Sequence, residues 1–213
     1  MDDTHSMVGS PAIYFFRHGQ TDLNAGNSFR GFIDVELDDT GKEQAQEQAD
    51  YVKGVPFTAL YSSDLKRAQQ TMKTVQKANS HASELIPEIV AAGRPWNVGK
   101  FSGKPKNAAN KKELQMYADS GETIPGGESI GQFRSRFGKL FQDALDKALE
   151  TGGPVGIFGH ASNGHEIGNI IYGDIDALDT DPGGITCVYI ARAGLEGRVL
   201  KGMPMEAAGY GNS

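Results

Sequence analysis

The feature that most constrains this chain is a run of four apolar residues, Ile13-Tyr14-Phe15-Phe16, that leads directly into Arg17-His18-Gly19-Gln20-Thr21. β-Branched and aromatic residues in so short a run predict a buried strand. Arg17 and His18 then stand at its carboxyl end, and Gly19 allows a sharp turn. In open α/β sheets, ligands bind in the crevice outside the carboxyl ends of the strands. Arginine offers a planar fork of donors for phosphate or carboxylate. Histidine offers a nitrogen nucleophile near neutral pH. An Arg-His-Gly triplet is also common in surface loops, so its meaning depends on what the rest of the chain places beside it.

The length of 213 residues fits one domain, 1–213, with a core over about 12–192 and flexible ends at 1–10 and 205–213. A net charge of −6 argues against a broad nucleic-acid surface, although a few local arginines still hold a small anion. The single cysteine, Cys187, lies in an apolar run and reads as a buried structural thiol. The first ten residues are polar and acidic, unlike a secretory signal, and no apolar run approaches membrane-spanning length. A cytoplasmic, reducing location is the expectation.

Two more strand-to-helix corners follow. Asp38-Asp39-Thr40 precede a helix over Gly41–Lys53, with Gly54 as its stop. Thr58–Tyr61 reads as a strand, Ser62-Ser63-Asp64 as a helix cap, and Leu65–Ala78 as the helix. Arg67 therefore falls in a first turn, where an anion would meet a guanidinium and free backbone N–H groups together. Glu84–Lys106 is loop-like, Asn110–Asp119 a short helix, and Ser129 with Gln132 a capping box that opens a helix to about Glu150. Val155–Phe158 is another strand, with His160 at its end and helix-start spacing at Asn163–Glu166. That helix runs to about Tyr172. Ile185–Ala191 is the last expected strand, and Ala207–Ser213 a glycine-rich tail. His165 reads as packing or surface. Arg30 reads either as a solvated loop charge or as a further cation bordering the site.

With these residues in order, the chain resembles the histidine phosphatase superfamily, the phosphoglycerate-mutase-like proteins that carry an Arg-His-Gly motif. The resemblance rests on Arg17–Thr21 with Asn24, and on Leu37, Gly41, Gln44 and Ala45. It continues through Ser63–Ala68 with Thr71, Pro125–Ser129, and Val155–His160. It implies a three-layer α/β/α sandwich around a mixed, mainly parallel sheet. It implies His18 as the residue that takes the phosphoryl group, with Arg17, Arg67 and His160 around the phosphate and Asn24 and Arg30 at its border. Two guanidiniums and an imidazole can stabilise a phosphoryl group in flight with no metal or cofactor. Their charge should depress the pKa of His18 and keep it nucleophilic, with a backbone carbonyl near Gly19 or Arg17 fixing its tautomer.

The chain departs from the family pattern at one position. Pro95 stands where many relatives carry the glutamate that protonates the leaving group. Glu128 and Glu88 are the candidate replacements, and each also reads as a solvated or capping acid. Without a strong acid, phenolic esters or phosphoanhydrides would react faster than alkyl phosphates. The implied activity is a histidine acid-type phosphomonoester hydrolase acting on a small phosphorylated substrate, with no nucleic-acid or membrane partner. A phosphoglycerate-mutase-type transferase and a catalytically weak phospho-ligand binder are the alternatives. Specificity is expected from residues 84–128, with Arg94, Trp96, Lys100 and Lys104 as contacts.

Overall fold

The computed structural model describes residues 10–191 and 194–201. Apart from Ser10, the expected flexible ends lie outside the described residues. The strands are β1 (Ala12–Arg17), β2 (Ala59–Ser63), β3 (Glu88–Val90), β4 (Pro154–Gly159), β5 (Ile185–Ala191) and β6 (Gly194–Lys201). They form one sheet in the order β3-β2-β4-β1-β5-β6. The first four run parallel, while β5 and β6 are antiparallel additions beyond β1.

The helices are α1 (Asp22–Ala25), α2 (Asp39–Tyr51), α3 (Lys66–Ala78), α4 (Ala108–Ser120), α5 (Ile130–Thr151) and α6 (Ala161–Tyr172). Alternation along the strands splits the core in two. Ile13, Phe15, Val155 and Ile157 pack with Phe133, Phe137 and Phe141 of α5 and Ile167 of α6. Tyr14, Phe16 and Phe158 pack on the other face with Ala49 of α2 and Met72 and Val75 of α3. The result is the expected three-layer α/β/α sandwich with a mixed sheet.

Several boundaries differ from the sequence reading. Strands β3 and β6 are additions to it. β3 has three residues, two of them exposed, and so shows no alternation. β6 is an edge strand with two glycines, Gly194 and Gly197. Ser63 ends β2 rather than capping α3, whose N-cap is Leu65 with no side-chain cap bond. The Ser63 hydroxyl is taken up elsewhere, by His160. α6 starts at Ala161, two residues earlier than the Asn163–Glu166 spacing suggests.

The middle of the sheet explains how distant residues meet. Strand β4 lies between β1 and β2, with Arg17 opposite Gly159 and Ser62 opposite Phe158. All three strands run the same way, so their carboxyl ends finish side by side. The turn after β1 is locked against α2: a Cβ on Gly19 would lie 2.2 Å from the Gly41 carbonyl oxygen, and one on Gly41 would lie 2.0 Å from that of Gln20. Buried Gln48 of α2 adds two bonds, from Nε2 to the carbonyls of Arg17 and Gly184 at 3.0 and 2.9 Å.

Gly41→Ala therefore sets two effects against each other. Helix propensity favours alanine by about 1 kcal/mol, while forced overpacking costs about 1–3 kcal/mol. The contact is backbone against backbone and cannot relax by a rotamer change, so net destabilisation is expected in urea unfolding. A higher midpoint for the alanine variant would contradict the close approach.

Candidate active site

The three parallel corners bring His18, Arg67 and His160 together. His18 and Arg67 are fully buried and His160 is 2 % exposed. Nδ1 of His18 donates to the carbonyl of Gly19 at 2.6 Å. Nε2 is therefore the nitrogen with the lone pair, and it accepts from Nε–H of Arg67 at 3.2 Å. The carbonyl expected to fix the tautomer is thus that of Gly19. The imidazoles of His18 and His160 lie 5.1 Å apart between centroids. Nε2 of His160 meets the Ser63 hydroxyl at 2.9 Å. That hydroxyl also accepts the Leu65 N–H at 3.3 Å.

Two nitrogens in this cluster are buried without a partner among the described residues: Nε of Arg17 and Nδ1 of His160. A buried polar group left unpaired costs about 1–3 kcal/mol. A bound tetrahedral oxyanion would satisfy both. Arg17 is otherwise anchored through Nη1 to the carbonyl of Thr180 and, at 3.4 Å, to Asp179. Arg67 is held by the carbonyls of Ile33 at 2.7 Å and Gly31 at 3.3 Å. The backbone thus supplies counter-dipoles for both guanidiniums. Asn24 lies on α1. Its Oδ1 accepts from Thr21 at 2.7 Å, and its side-chain amide has no acceptor among the described residues.

Electrostatics follow from burial and charge. The pKa of His18 lies well below 6.5, first because burial penalises the imidazolium, then because Arg67, Arg30 and Arg17 repel it. The Gly19 bond opposes this shift. His160 is lowered in the same way, by burial, then Arg67, then His18 and Arg30. Burial, then Arg30, pulls the Arg67 guanidinium down to about 9, so it stays charged at neutral pH. Arg30 is pulled to about 10, by burial and then by Arg17. Arg30 is thus half-buried, and its charge acts on His18 and Arg67.

Glu128 must be corrected. Its Oε1 accepts from the Asn97 N–H at 2.8 Å and from Nη2 of Arg136 at 2.6 Å, and its Oε2 accepts from Nε of Arg136 at 3.0 Å. Both oxygens serve as acceptors in a structural clamp, which does not suit proton donation. Arg136 also donates to the carbonyls of Ala92, Arg94 and Pro95. The Arg94 carbonyl accepts in turn from Nδ2 of Asn163 at 3.3 Å, and Oδ1 of Asn163 accepts the His160 N–H at 2.9 Å. Arg136 therefore positions the segment carrying Pro95 against the turn that carries His160. Glu88 is exposed on edge strand β3.

The expected specificity contacts are also engaged in structure. Arg94 forks onto Asp64 at 2.7 and 2.6 Å, Trp96 Nε1 donates to the Glu128 carbonyl, and Lys100 pairs with Glu113. Lys104 lies over the Phe101 ring at 5.6 Å. His165 pairs with Asp179 at 2.9 Å. Ser63 and Thr71, which the sequence marks only as motif positions, bond directly within the cluster. Thr71 accepts the Gly19 N–H at 3.4 Å and donates to the Arg67 carbonyl at 2.9 Å, tying the two corners together. Lys106 feels the charge of Arg30 and Arg17. Nothing in its sequence spacing marks it.

Comparison with known proteins gives the family. The model of the histidine phosphatase superfamily (branch 1) matches residues 13–179. The chain belongs to that superfamily. It is 32% identical over 146 residues to fructose-2,6-bisphosphatase TIGAR B of Danio rerio, covering 67% of this chain and 56% of that protein. It is 32% identical over 143 residues to the probable phosphoglycerate mutase GpmB of Yersinia pestis, covering 65% of this chain and 63% of that one. The match thus spans less than two thirds of these curated relatives. The fold is shared with a phosphoglycerate mutase from Thermus thermophilus (TM-score 0.67, 22% identity, 91% of this chain and 99% of that one). It is also shared with a mycobacterial glucosyl-3-phosphoglycerate phosphatase in complex with VO3 (TM-score 0.71, 21% identity, 89% and 97%).

The two depressed imidazoles make stability depend on pH. The unfolded chain takes up protons near pH 6.5 and the folded one does not, so acid favours unfolding. This stability is intact above pH 6.5 and is lost as pH falls below it. Each imidazole should contribute up to about 1.4 kcal/mol per pH unit in that window. Denaturant titrations at pH 7 and pH 5.5 measure it. Equal unfolding free energies at both would mean that the imidazoles protonate inside the fold.

Proposed function

We propose that the protein is a metal-independent phosphomonoester hydrolase of the histidine acid type, working through a phosphohistidine on His18. The observation that carries this reading is the Nε2 lone pair of His18, set beside Arg67 in a cluster that also holds two unpaired buried nitrogens, Nε of Arg17 and Nδ1 of His160. The phosphate displaces the Arg67 contact and takes that N–H for itself. Nε2 attacks phosphorus, a P–N bond forms, and the P–O bond to the leaving group breaks with its electron pair on oxygen. Arg17, Arg67, Nδ1 of His160, the side-chain amide of Asn24 and Arg30 surround the equatorial oxygens, where charge develops. Water then attacks phosphorus, and the P–N bond returns its pair to Nε2. The water proton passes to a phosphate oxygen. The lining is cationic, which stabilises phosphate directly and would repel a metal ion.

A small phosphorylated molecule suits a site whose nucleophile is wholly buried. No helix among the described residues is long and apolar enough to cross a membrane. A cytoplasmic setting suits the lone thiol of Cys187, which is buried and pushed up to about 12 by its burial.

The test is phosphate release from 4-nitrophenyl phosphate, with acid quench to trap the acid-labile phosphoenzyme. Wild type should form both products, and His18→Ala should lose at least about a thousandfold in kcat with no trapped phosphoenzyme. Trapped phosphoenzyme with 2-/3-phosphoglycerate interconversion and little phosphate release would favour a mutase. No phosphoenzyme and no turnover in wild type would leave a phospho-ligand binder.

A further inference from the structure

The loop between α6 and β5 wraps the strand end that carries the nucleophile. The Arg17 N–H donates to the Gly184 carbonyl at 3.0 Å, and the Gly183 N–H donates to the His18 carbonyl at 3.2 Å. Leu178 and Thr180 of this loop are buried. A glycine of α6 lets the loop come close: a Cβ on Gly168 would lie 2.7 Å from the Asp174 carbonyl oxygen. The loop is therefore fixed on one side to β1 and on the other to the helix that His160 caps.

Asp179 sits where these elements meet. Its Oδ1 accepts the Thr180 N–H at 2.9 Å and faces Nη1 of Arg17 at 3.4 Å. Nε2 of His165 meets the same oxygen at 2.9 Å, and because a carboxylate only accepts, Nε2 carries the hydrogen. One oxygen thus joins the loop, α6 and the end of β1. Nη1 of Arg17 also reaches the Thr180 carbonyl. Both contacts engage one nitrogen of the guanidinium and leave Nε, buried and unpaired, for a phosphate oxygen. Burial disfavours the charge of Arg17, and Asp179, then Asp181, oppose that effect. Burial also acts against the Asp179 carboxylate, but His165, Arg17 and the Thr180 N–H outweigh it and favour the ionised form.

A carboxylate near an oxyanion site has two opposed effects. Its field repels the anion, while its hydrogen bonds orient the cation that grips the anion. The Asp179 side chain is 48% exposed, so water and salt screen its field. The hydrogen bonds act at contact distance, and a guanidinium fork binds phosphate well only in the right orientation. Orientation is therefore the larger effect.

We infer that Asp179 and His165 are positioning residues for phosphate binding: Asp179 holds the Arg17 guanidinium so that Nε stays free for the phosphate, and His165 holds Asp179. Neither residue touches the substrate. The chain Arg17–Asp179–His165 braces the end of β1 against α6, so the two elements that carry Arg17 and His160 keep their spacing. This rests on the phosphohistidine reading above, in which Arg17 binds the phosphate.

The experiment measures orthovanadate affinity by calorimetry, and kcat and KM on 4-nitrophenyl phosphate, with the full chain. The variants are Asp179→Ala, Asp179→Asn, His165→Ala and Arg17→Ala, and the doubles that join Asp179→Ala to His165→Ala and to Arg17→Ala. Asp179→Ala should weaken orthovanadate binding about tenfold and raise KM by a similar factor, with a smaller loss in kcat. Asp179→Asn keeps an acceptor oxygen and should recover most of that loss. His165→Ala should weaken binding by about two- to threefold, and by nothing further once Asp179 is replaced. With Arg17 already replaced, Asp179→Ala should have no effect. A tenfold loss that persists in the Arg17→Ala background would show damage to the loop and overturn the positioning role. Equal or tighter orthovanadate binding by Asp179→Ala would overturn it too, because the field of the carboxylate would then outweigh its hydrogen bonds. Absence of trapped phosphoenzyme in wild type would instead sink the underlying reading.

Discussion

One imidazole nitrogen kept without a proton in a nest of positive charge is what the other parts of the structure serve. His18 gives its hydrogen to the Gly19 carbonyl and shows its lone pair to Arg67. Burial and neighbouring guanidiniums make its charged form unfavourable. This suits a nucleophile and is costly for a fold, because three arginines gather where water is scarce. The cost is offset by backbone dipoles: the carbonyls of Gly31 and Ile33 receive Arg67, and that of Thr180 receives Arg17. An anion would complete the compensation at Nε of Arg17 and Nδ1 of His160.

The scaffold achieves this with few connections. Parallel β2, β4 and β1 end in one row, so Ser63, His160 and His18 need no long side chains to meet. The two-glycine contact between the β1 turn and α2 allows backbone to approach backbone. On the outer wall, Phe32 lies under Arg94 at 4.8 Å and Arg136 at 5.7 Å. Those arginines tie the loop after β1 to the segment of Pro95. The ion pairs of this wall explain why Glu128 and Arg94 are poor candidates for chemistry: their charges already serve each other's surroundings.

Much of the fold is legible in local pattern. An apolar run of four marks β1, a shorter glycine-broken one marks β4, and the 3.6-residue spacing of Phe133, Phe137, Leu140, Phe141 and Ala144 marks α5. The Ser129–Gln132 capping box fixes where α5 starts. Strands β3 and β6 were not legible, because edge strands satisfy only one neighbour and need no buried alternation. Within the site, Arg17, His18, Arg67 and His160 stand out because each sits at a strand end or first turn. The short ladder between residues 27–29 and 103–106 gives no such signal, because its pairing is set by distant segments.

By itself the sequence determined the strand-to-helix corners and the residues they carry, since turn chemistry, capping and hydrophobic period act within a few neighbours. Only the tertiary structure decided how their charges are paired. It gave Glu128 to Arg136, Asp64 to Arg94 and the Ser63 hydroxyl to His160. The reason is physical: Coulombic and hydrogen-bond partners are chosen by distance in space, and residues far apart along the chain become neighbours only when the sheet and its loops are assembled.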